Sequence, residues 1–269
     1  MTNLTTRVIT AIVMVAVLLA TLFVLPGLVA TYLFAVVFLV AAWEWSGLIK
    51  GAVIGLRLIF VALLAAAAFV PLLLSVSREL APLCVYAGIA CWLAFTLTLI
   101  FNLQISGAVR GVLLGLLTLL PAWFSVVFLL GEPAGAYYFL WCVGIVAAAD
   151  IGAYFIGRRF GSRKLAPSIS PGKTLEGFFG GLVAASLFTS LVALTIGLNG
   201  IYFLLAGCLL AAISVIGDLW ISRFKRAAGR KDSGHILPGH GGILDRIDSL
   251  LAALPLFVII SGQMEGFVL

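Results

Sequence analysis

Long apolar runs separated by short polar gaps dominate the chain. Measured against the roughly 20 residues a helix needs to cross a bilayer, they fall at 8–25, 28–49, 55–75, 81–101, 111–130, 136–157, 177–198, 201–221 and 247–262. None shows the period-two alternation of a barrel strand. A backbone in hydrocarbon must also satisfy its own hydrogen bonds, so each run is expected to be a helix. The expected fold class is all-α, a polytopic integral membrane bundle of about nine spans. With no internal repeat or low-complexity linker, residues 1–269 read as a single integral membrane domain. The first run could be taken for a signal peptide; its length and the spans that follow at once favour an uncleaved helix.

The gaps sort by charge. With the N-terminus inside, alternation puts every Lys and Arg except Arg78 on the inner side. The expected place is therefore the inner or plasma membrane of a bacterium, with the N-terminus and the active site cytoplasmic. Two inner connections are long, at about 158–176 and 222–246, and polar chemistry is expected there.

Composition supports lipid as the solvent. Apolar residues make up 64% of the chain and charged residues 10%, against about 25% charged in soluble domains. The net charge of +6 does not signal nucleic acid, because the basic residues sit in gaps between apolar runs and form no basic face. Cys84, Cys91, Cys142 and Cys208 lie inside apolar runs without metal-ligand spacing, and read as packing residues.

Three acidic residues fall within spans: Glu44, Asp150 and Asp218. A carboxylate at mid-bilayer costs about 2.5–3.5 kcal/mol on insertion scales, so such residues face a cavity or a partner. Asp150 and Asp218 lie toward the cytoplasmic ends of their helices, within reach of a water-filled pocket. Glu44, between Trp43 and Trp45, is divided between a headgroup-facing position and a cavity role.

The second inner connection reads GDLWISRFKRAAGRKDSGHILPGHGGILDRIDS. Helical spacing puts Asp218, Ser222 and Lys225 on one face, and Arg226 and Lys231 add charge beyond them. Gly241 and Gly242 allow close backbone approach to a ligand, with His240 just before them. Asp245 and Asp248 share a face at the start of the last helix. With Asp218 they form an oxygen-rich set suited to Mg²⁺. Arg246, between them, is expected to point to a phosphate or an ion pair. His235 reads as a surface histidine.

In the first connection Asp150 and Tyr154 are four apart on one helix face, and Ser170, Lys173 and Thr174 precede a new helix. Gly172-Lys173-Thr174 is not a P-loop, since the earlier glycines and the strand are missing. A capped helix start beside Lys173 can still hold an anion. Glu176 is an alternative capping partner, and Gly180 and Gly181 suit close helix packing.

At these two connections the sequence resembles the CDP-diacylglycerol synthase (phosphatidate cytidylyltransferase) family. The matching elements are Ser222, Lys225-Arg226, Lys231-Asp232, Pro238-x-His240-Gly241-Gly242 and Asp245-Arg246-x-Asp248, all at the family's spacing. Ser170, Pro171, Lys173, Thr174, Glu176 and Gly177 match a second element, with Gly172 and Leu175 departing from many members. The resemblance implies that CTP and phosphatidate give CDP-diacylglycerol and pyrophosphate. It also implies a divalent metal, Mg²⁺, served by Asp218, Asp245 and Asp248, and leaves a second cation such as K⁺ open. Lys225, Arg226, Lys173 and His240 are the catalytic candidates. Asp150, Tyr154, Ser170, Thr174, Ser222, Lys231, Gly241, Gly242 and Arg246 are the candidates for substrate binding. The expected partners are CTP, phosphatidate and membrane lipid, with no nucleic acid; the oligomeric state stays open, a homodimer included.

The main rival is an ion-coupled transporter with intramembrane carboxylates. It would place broken helices and polar groups at the midplane, whereas here polarity gathers in the cytoplasmic connections. A CDP-alcohol phosphotransferase would need an Asp-Gly-x-x-Ala-Arg element that is missing, and a scaffold has no use for clustered carboxylates.

Overall fold

Apolar runs of this length can satisfy their backbone in lipid only by coiling, and a computed structural model of the chain shows helices at every run. It describes residues 3–73, 77–103 and 107–262. Among these are α1 (Asn3–Phe23), α2 (Gly27–Leu48), α3 (Ile54–Leu73), α4 (Ser77–Ile100), α5 (Ala108–Leu130), α6 (Gly135–Phe160), α7 (Leu175–Thr195), α8 (Gly200–Ala227) and α9 (Leu244–Ser261). Seven of them are long and apolar enough to cross a membrane; α3 has a shorter apolar stretch, Ile54–Phe69. α9 begins with Asp245, Arg246 and Asp248, which shortens its apolar part. The end of the expected third span, 74–75, and the side chain of Arg78 lie outside the described residues.

One feature departs from the helical pattern. Within the first inner connection β1 (Lys164–Ala166) pairs antiparallel with β2 (Ser170–Thr174). The second connection is also shorter than expected, because α8 continues to Ala227 and carries Ser222, Lys225 and Arg226 on its last turns. It stops where Gly229 takes φ +69. Arg230 N–H donates to Lys225 O (2.8 Å) and Gly229 N–H to Arg226 O (3.0 Å), the paired bonds of a glycine-terminated helix end.

The contacts divide the chain into two compact units, Met1–Ala136 with Phe224–Ile247, and Tyr137–Arg223 with Asp248–Leu269. In the first, α5 packs against α2, α3 and α4. Its stretch from Pro121 to Leu129 is buried on all sides, as expected of a helix that is apolar all round. Trp45, fully buried on α2, donates its indole N–H to Gly111 O at 2.9 Å and lies tilted against Phe224, ring centroids 4.6 Å apart. Gly115 lies so close to α2 and α3 that an added Cβ would overlap the Trp45 ring and come within 2.7 Å of Phe60. Gly115→Val is therefore expected to destabilise the protein by about 1–3 kcal/mol through overpacking, read as a lower melting temperature in detergent; an unchanged melting curve would contradict this packing.

In the second unit, glycines bring α6 and α7 together. An added Cβ on Gly181 would sit 2.7 Å from Ala149 O, and one on Gly152 2.7 Å from Gly180 O. This is the close packing expected of small residues in membrane helices. Trp141 lies against Phe203 and Phe257, with centroids 5.1 and 5.9 Å away. Gly217 on α8 faces the backbone of α9, where an added Cβ would be 2.6 Å from Asp248 O. All four cysteines are free, and Cys142 is fully buried.

Candidate active site

In the second unit the β-ribbon presents Lys173 to α8. Its ammonium lies 2.6 Å from Asp218 Oδ2, and both side chains keep 26% of their surface exposed. Ser222, one turn along α8, donates to Asp218 Oδ1 at 3.0 Å. Asp218, Ser222 and Lys173 thus form a carboxylate, hydroxyl and ammonium group at the end of the helix. Thr174 caps α7, accepting from Gly177 N–H at 3.1 Å. Glu176 does not cap. It accepts from Ser162 N–H (3.0 Å), Ser162 Oγ (2.7 Å) and Arg163 N–H (3.2 Å), which ties the end of α6 to the ribbon. An added Cβ on Gly157, Gly161 or Gly177 would lie within 3.1 Å of Thr174 Oγ1, so only small residues fit around this cap.

The remaining candidates of this unit lie on α6, β2 and α9. Tyr154 is exposed and its hydroxyl accepts from Arg158 Nη1 at 2.8 Å. Asp150 is exposed on the same helix, and Ser170 is half-buried at the start of β2. Asp248 is buried, and its Oδ1 accepts from Ser249 N–H at 2.8 Å.

In the first unit the connection from Arg230 to Ile243 folds around two buried carboxylates. Asp245 accepts from Lys225 Nζ (2.8 Å) through Oδ1, and from Ser233 N–H (2.8 Å) and Gly242 N–H (3.0 Å) through Oδ2. It lies on the loop side of the last apolar run. Burial opposes its ionisation, but the Lys225 hydrogen bond, the Gly242 N–H, the Lys225 charge and the Ser233 N–H together hold its carboxyl below the usual range. The second carboxylate is Glu44. It is 4% exposed and accepts from Ser233 Oγ (2.9 Å), Ile243 N–H (3.1 Å) and Leu244 N–H (2.8 Å). Glu44 thus neither faces headgroups nor lines a cavity; it is the post around which the connection is wound. An added Cβ on Gly234 or Gly242 would collide with its carboxylate, which is why both positions are glycine.

The exposed tip is a turn. His240 N–H donates to Leu237 O (2.9 Å) across Pro238 and Gly239, and Leu237 N–H donates to Gly241 O (2.9 Å). Gly239 has φ +75 and Gly241 φ +79. Proline followed by a glycine at positive φ is the sequence that a type II turn requires. Around it lies a cavity of about 610 Å³, lined among others by Arg7, Lys231, His235, His240, Gly241 and Arg246. Arg226 is exposed, its Nη1 donating to Arg230 O at 3.3 Å. Lys225, by contrast, is 7% exposed and engaged with Asp245, so in this structure it organises the connection. His235 is exposed, as its isolated place in the sequence suggested.

Both connections therefore set cations beside carboxylates, Lys173 with Asp218 and Lys225 with Asp245, groups suited to phosphate chemistry. Comparison with known proteins agrees. A model described as the cytidylyltransferase family matches residues 5–262. The chain belongs to this family. Among similar members, a phosphatidate cytidylyltransferase of Pseudomonas aeruginosa is 40% identical over 260 residues, covering 93% of this chain and 94% of that protein. Another, from Haemophilus influenzae, is 48% identical over 130 residues, 46% of this chain and 45% of its own length. One from Bacillus subtilis is 48% identical over 121 residues, 44% of this chain and 45% of its own. The cytidylyltransferase family is one of nucleotidyl transfer, so the carboxylates and cations above belong to an enzyme.

Sequence reasoning missed two groups in this enzyme. Glu44 was in view but without its partners, and Arg7 was seen only as a charge before the first span. Among the described residues no three His, Cys, Asp or Glu side chains gather closely enough to cage a metal. Mg²⁺ commonly binds through one or two carboxylates plus substrate phosphates. The all-oxygen Asp218 carboxylate, partly exposed and already paired with a cation, has suitable chemistry for that use.

Proposed function

We propose that this protein transfers the cytidylyl group of CTP to phosphatidate, giving CDP-diacylglycerol and pyrophosphate in phospholipid synthesis. The observation that carries the reading is the family match across the chain, with a phosphatidate cytidylyltransferase aligned over nearly its full length. The protein is a multi-span membrane enzyme with bacterial relatives. Its charge distribution supports a cytoplasmic N-terminus and active site. The enzymatic relatives weigh against an ion-coupled transporter.

The chemistry follows from the reactants. A phosphate oxygen of phosphatidate, already anionic at neutral pH, attacks the α-phosphorus of CTP. The bond to the bridging oxygen of the β-phosphate breaks, and pyrophosphate leaves with the electron pair. No strong base is needed; the obstacle is the repulsion of two polyanions, which fixed cations and positioning reduce. Lys173 and Arg226 would offset phosphate charge. The turn glycines Gly241 and Gly242, with Lys231, His240 and Arg246, offer donors for substrate oxygens. Lys225 contributes through Asp245, keeping that turn in shape. Asp150, Tyr154, Ser170, Thr174 and Ser222 stand as the remaining substrate-side candidates. Asp218 would hold Mg²⁺, which would supply charge neutralisation of the CTP phosphates, with Asp245 and Asp248 as the further motif candidates for the metal; a second cation such as K⁺ and a homodimer are compatible with this reading.

The test is turnover by the purified protein in mixed micelles with CTP and phosphatidate. Equal amounts of CDP-lipid and pyrophosphate, formed only with a divalent cation, are expected; CTP bound without either product would refute the reaction. Asp218→Asn, which keeps a partner for Ser222, is expected to lower kcat about a hundredfold at fixed Mg²⁺ with little change in melting temperature. Unaltered Mg²⁺ dependence in that variant would remove Asp218 from the metal site.

A further inference from the structure

Arg7 lies on the first turns of α1. This helix is largely exposed along its length, as a lipid-facing helix is, yet its start touches the Pro238–Gly239 turn. Thr10 Oγ1 donates to Pro238 O at 3.0 Å. An added Cβ on Gly239 would lie 3.1 Å from Arg7 Cγ, so the arginine stem runs along the one turn residue that has no side chain to obstruct it. Arg7 lines the same cavity of about 610 Å³ as Lys231, Arg246 and His240, and Asp232 is the only carboxylate among its lining residues. The Nδ1 of His240 is buried there without a hydrogen-bond partner, a cost that an incoming ligand could relieve. A cavity of this size suits a small-molecule group, and its excess of cations suits an anion. A guanidinium matches phosphate oxygens through paired N–H donors.

Resting on the reaction proposed above, we propose that Arg7 is a further phosphate-binding residue: with Lys231 and Arg246 it clamps a phosphate group of one of the two substrates. The first helix then acts as part of the active site and not only as a membrane anchor. Both CTP and phosphatidate carry that chemistry, and kinetics tell them apart.

The experiment uses the full chain with Arg7→Gln, which keeps part of the stem over Gly239 but loses the charge, and Arg7→Lys, which keeps the charge. CTP and phosphatidate are varied separately in mixed micelles, and melting temperatures are recorded. Arg7→Gln is expected to raise KM for one substrate about tenfold, the effect of one lost charge-assisted bond, with kcat within about threefold, and Arg7→Lys to recover much of the shift. A rise confined to CTP assigns the clamp to the nucleotide; one confined to phosphatidate assigns it to the lipid headgroup. Both KM values within twofold of wild type would overturn the proposal, as would a lysine variant no better than glutamine. A lowered melting temperature with both KM values unchanged would reduce Arg7 to packing and overturn it too. Wild-type protein that makes no CDP-lipid would instead refute the reaction itself.

Discussion

Glu44→Gln is expected to loosen the connection from Arg230 to Ile243 and to cut turnover more than tenfold. Glu44 Oε2 accepts from Ser233 Oγ and Leu244 N–H, and Oε1 from Ile243 N–H. An amide keeps one acceptor and turns the other into an NH₂ that faces a donor. Either orientation leaves at least one buried N–H or hydroxyl without an acceptor, at about 1–3 kcal/mol each. The space around the carboxylate is tight, since even an added Cβ on Gly234 or Gly242 would overlap it. Hydrogen exchange over the connection should therefore rise while that of α5 stays protected. Normal exchange and full turnover in this variant would show that Glu44 is not the support of the loop.

Lys225→Met should be the most destabilising change at the end of α8. The ammonium and the Asp245 carboxylate are both nearly closed off from water, with side chains 9% and 4% exposed, and stand 2.8 Å apart. Removing one partner of a buried pair strands the other charge and costs about 3–5 kcal/mol. The Ser233 and Gly242 N–H groups still stabilise the Asp245 carboxylate, so the lower end of that range applies. Adding Asp245→Asn removes the stranded charge and should restore part of the melting temperature while turnover stays lost. A single variant as stable as wild type would mean that the pair does not hold the connection.

These two residues also show what the sequence can and cannot reveal. Runs of apolar residues needed only a ruler and the rule that lipid leaves no backbone group unpaired, and each expected run is a helix. The helical face of Asp218, Ser222 and Lys225 followed from periodicity, and the Asp218–Ser222 bond exists. Helix ends were harder. The apolar ruler stops α8 near 221, but a helix ends where its hydrogen bonds are capped, and here that is Gly229, beyond the apolar part. The ribbon of β1 and β2 was invisible because β1 has only three residues and β2 contains Ser, Pro and Gly. Glu44 stayed ambiguous because its partners lie 189 to 200 residues away; two flanking tryptophans made an interfacial position equally reasonable. Arg7 had the simpler reading of a topogenic charge, and only the fold places it beside Gly239.

The central claim is that the bond broken in CTP lies between the α- and β-phosphates and that the cytidylyl group moves to a lipid phosphate. The most direct measurement follows phosphorus labels in CTP through a reaction of the purified protein with phosphatidate. The account predicts that α-label passes into the organic, lipid phase, one per pyrophosphate formed, and that γ-label stays in the aqueous phase as pyrophosphate. Label from the γ-phosphate in lipid, or α-label that never leaves the water, would contradict it.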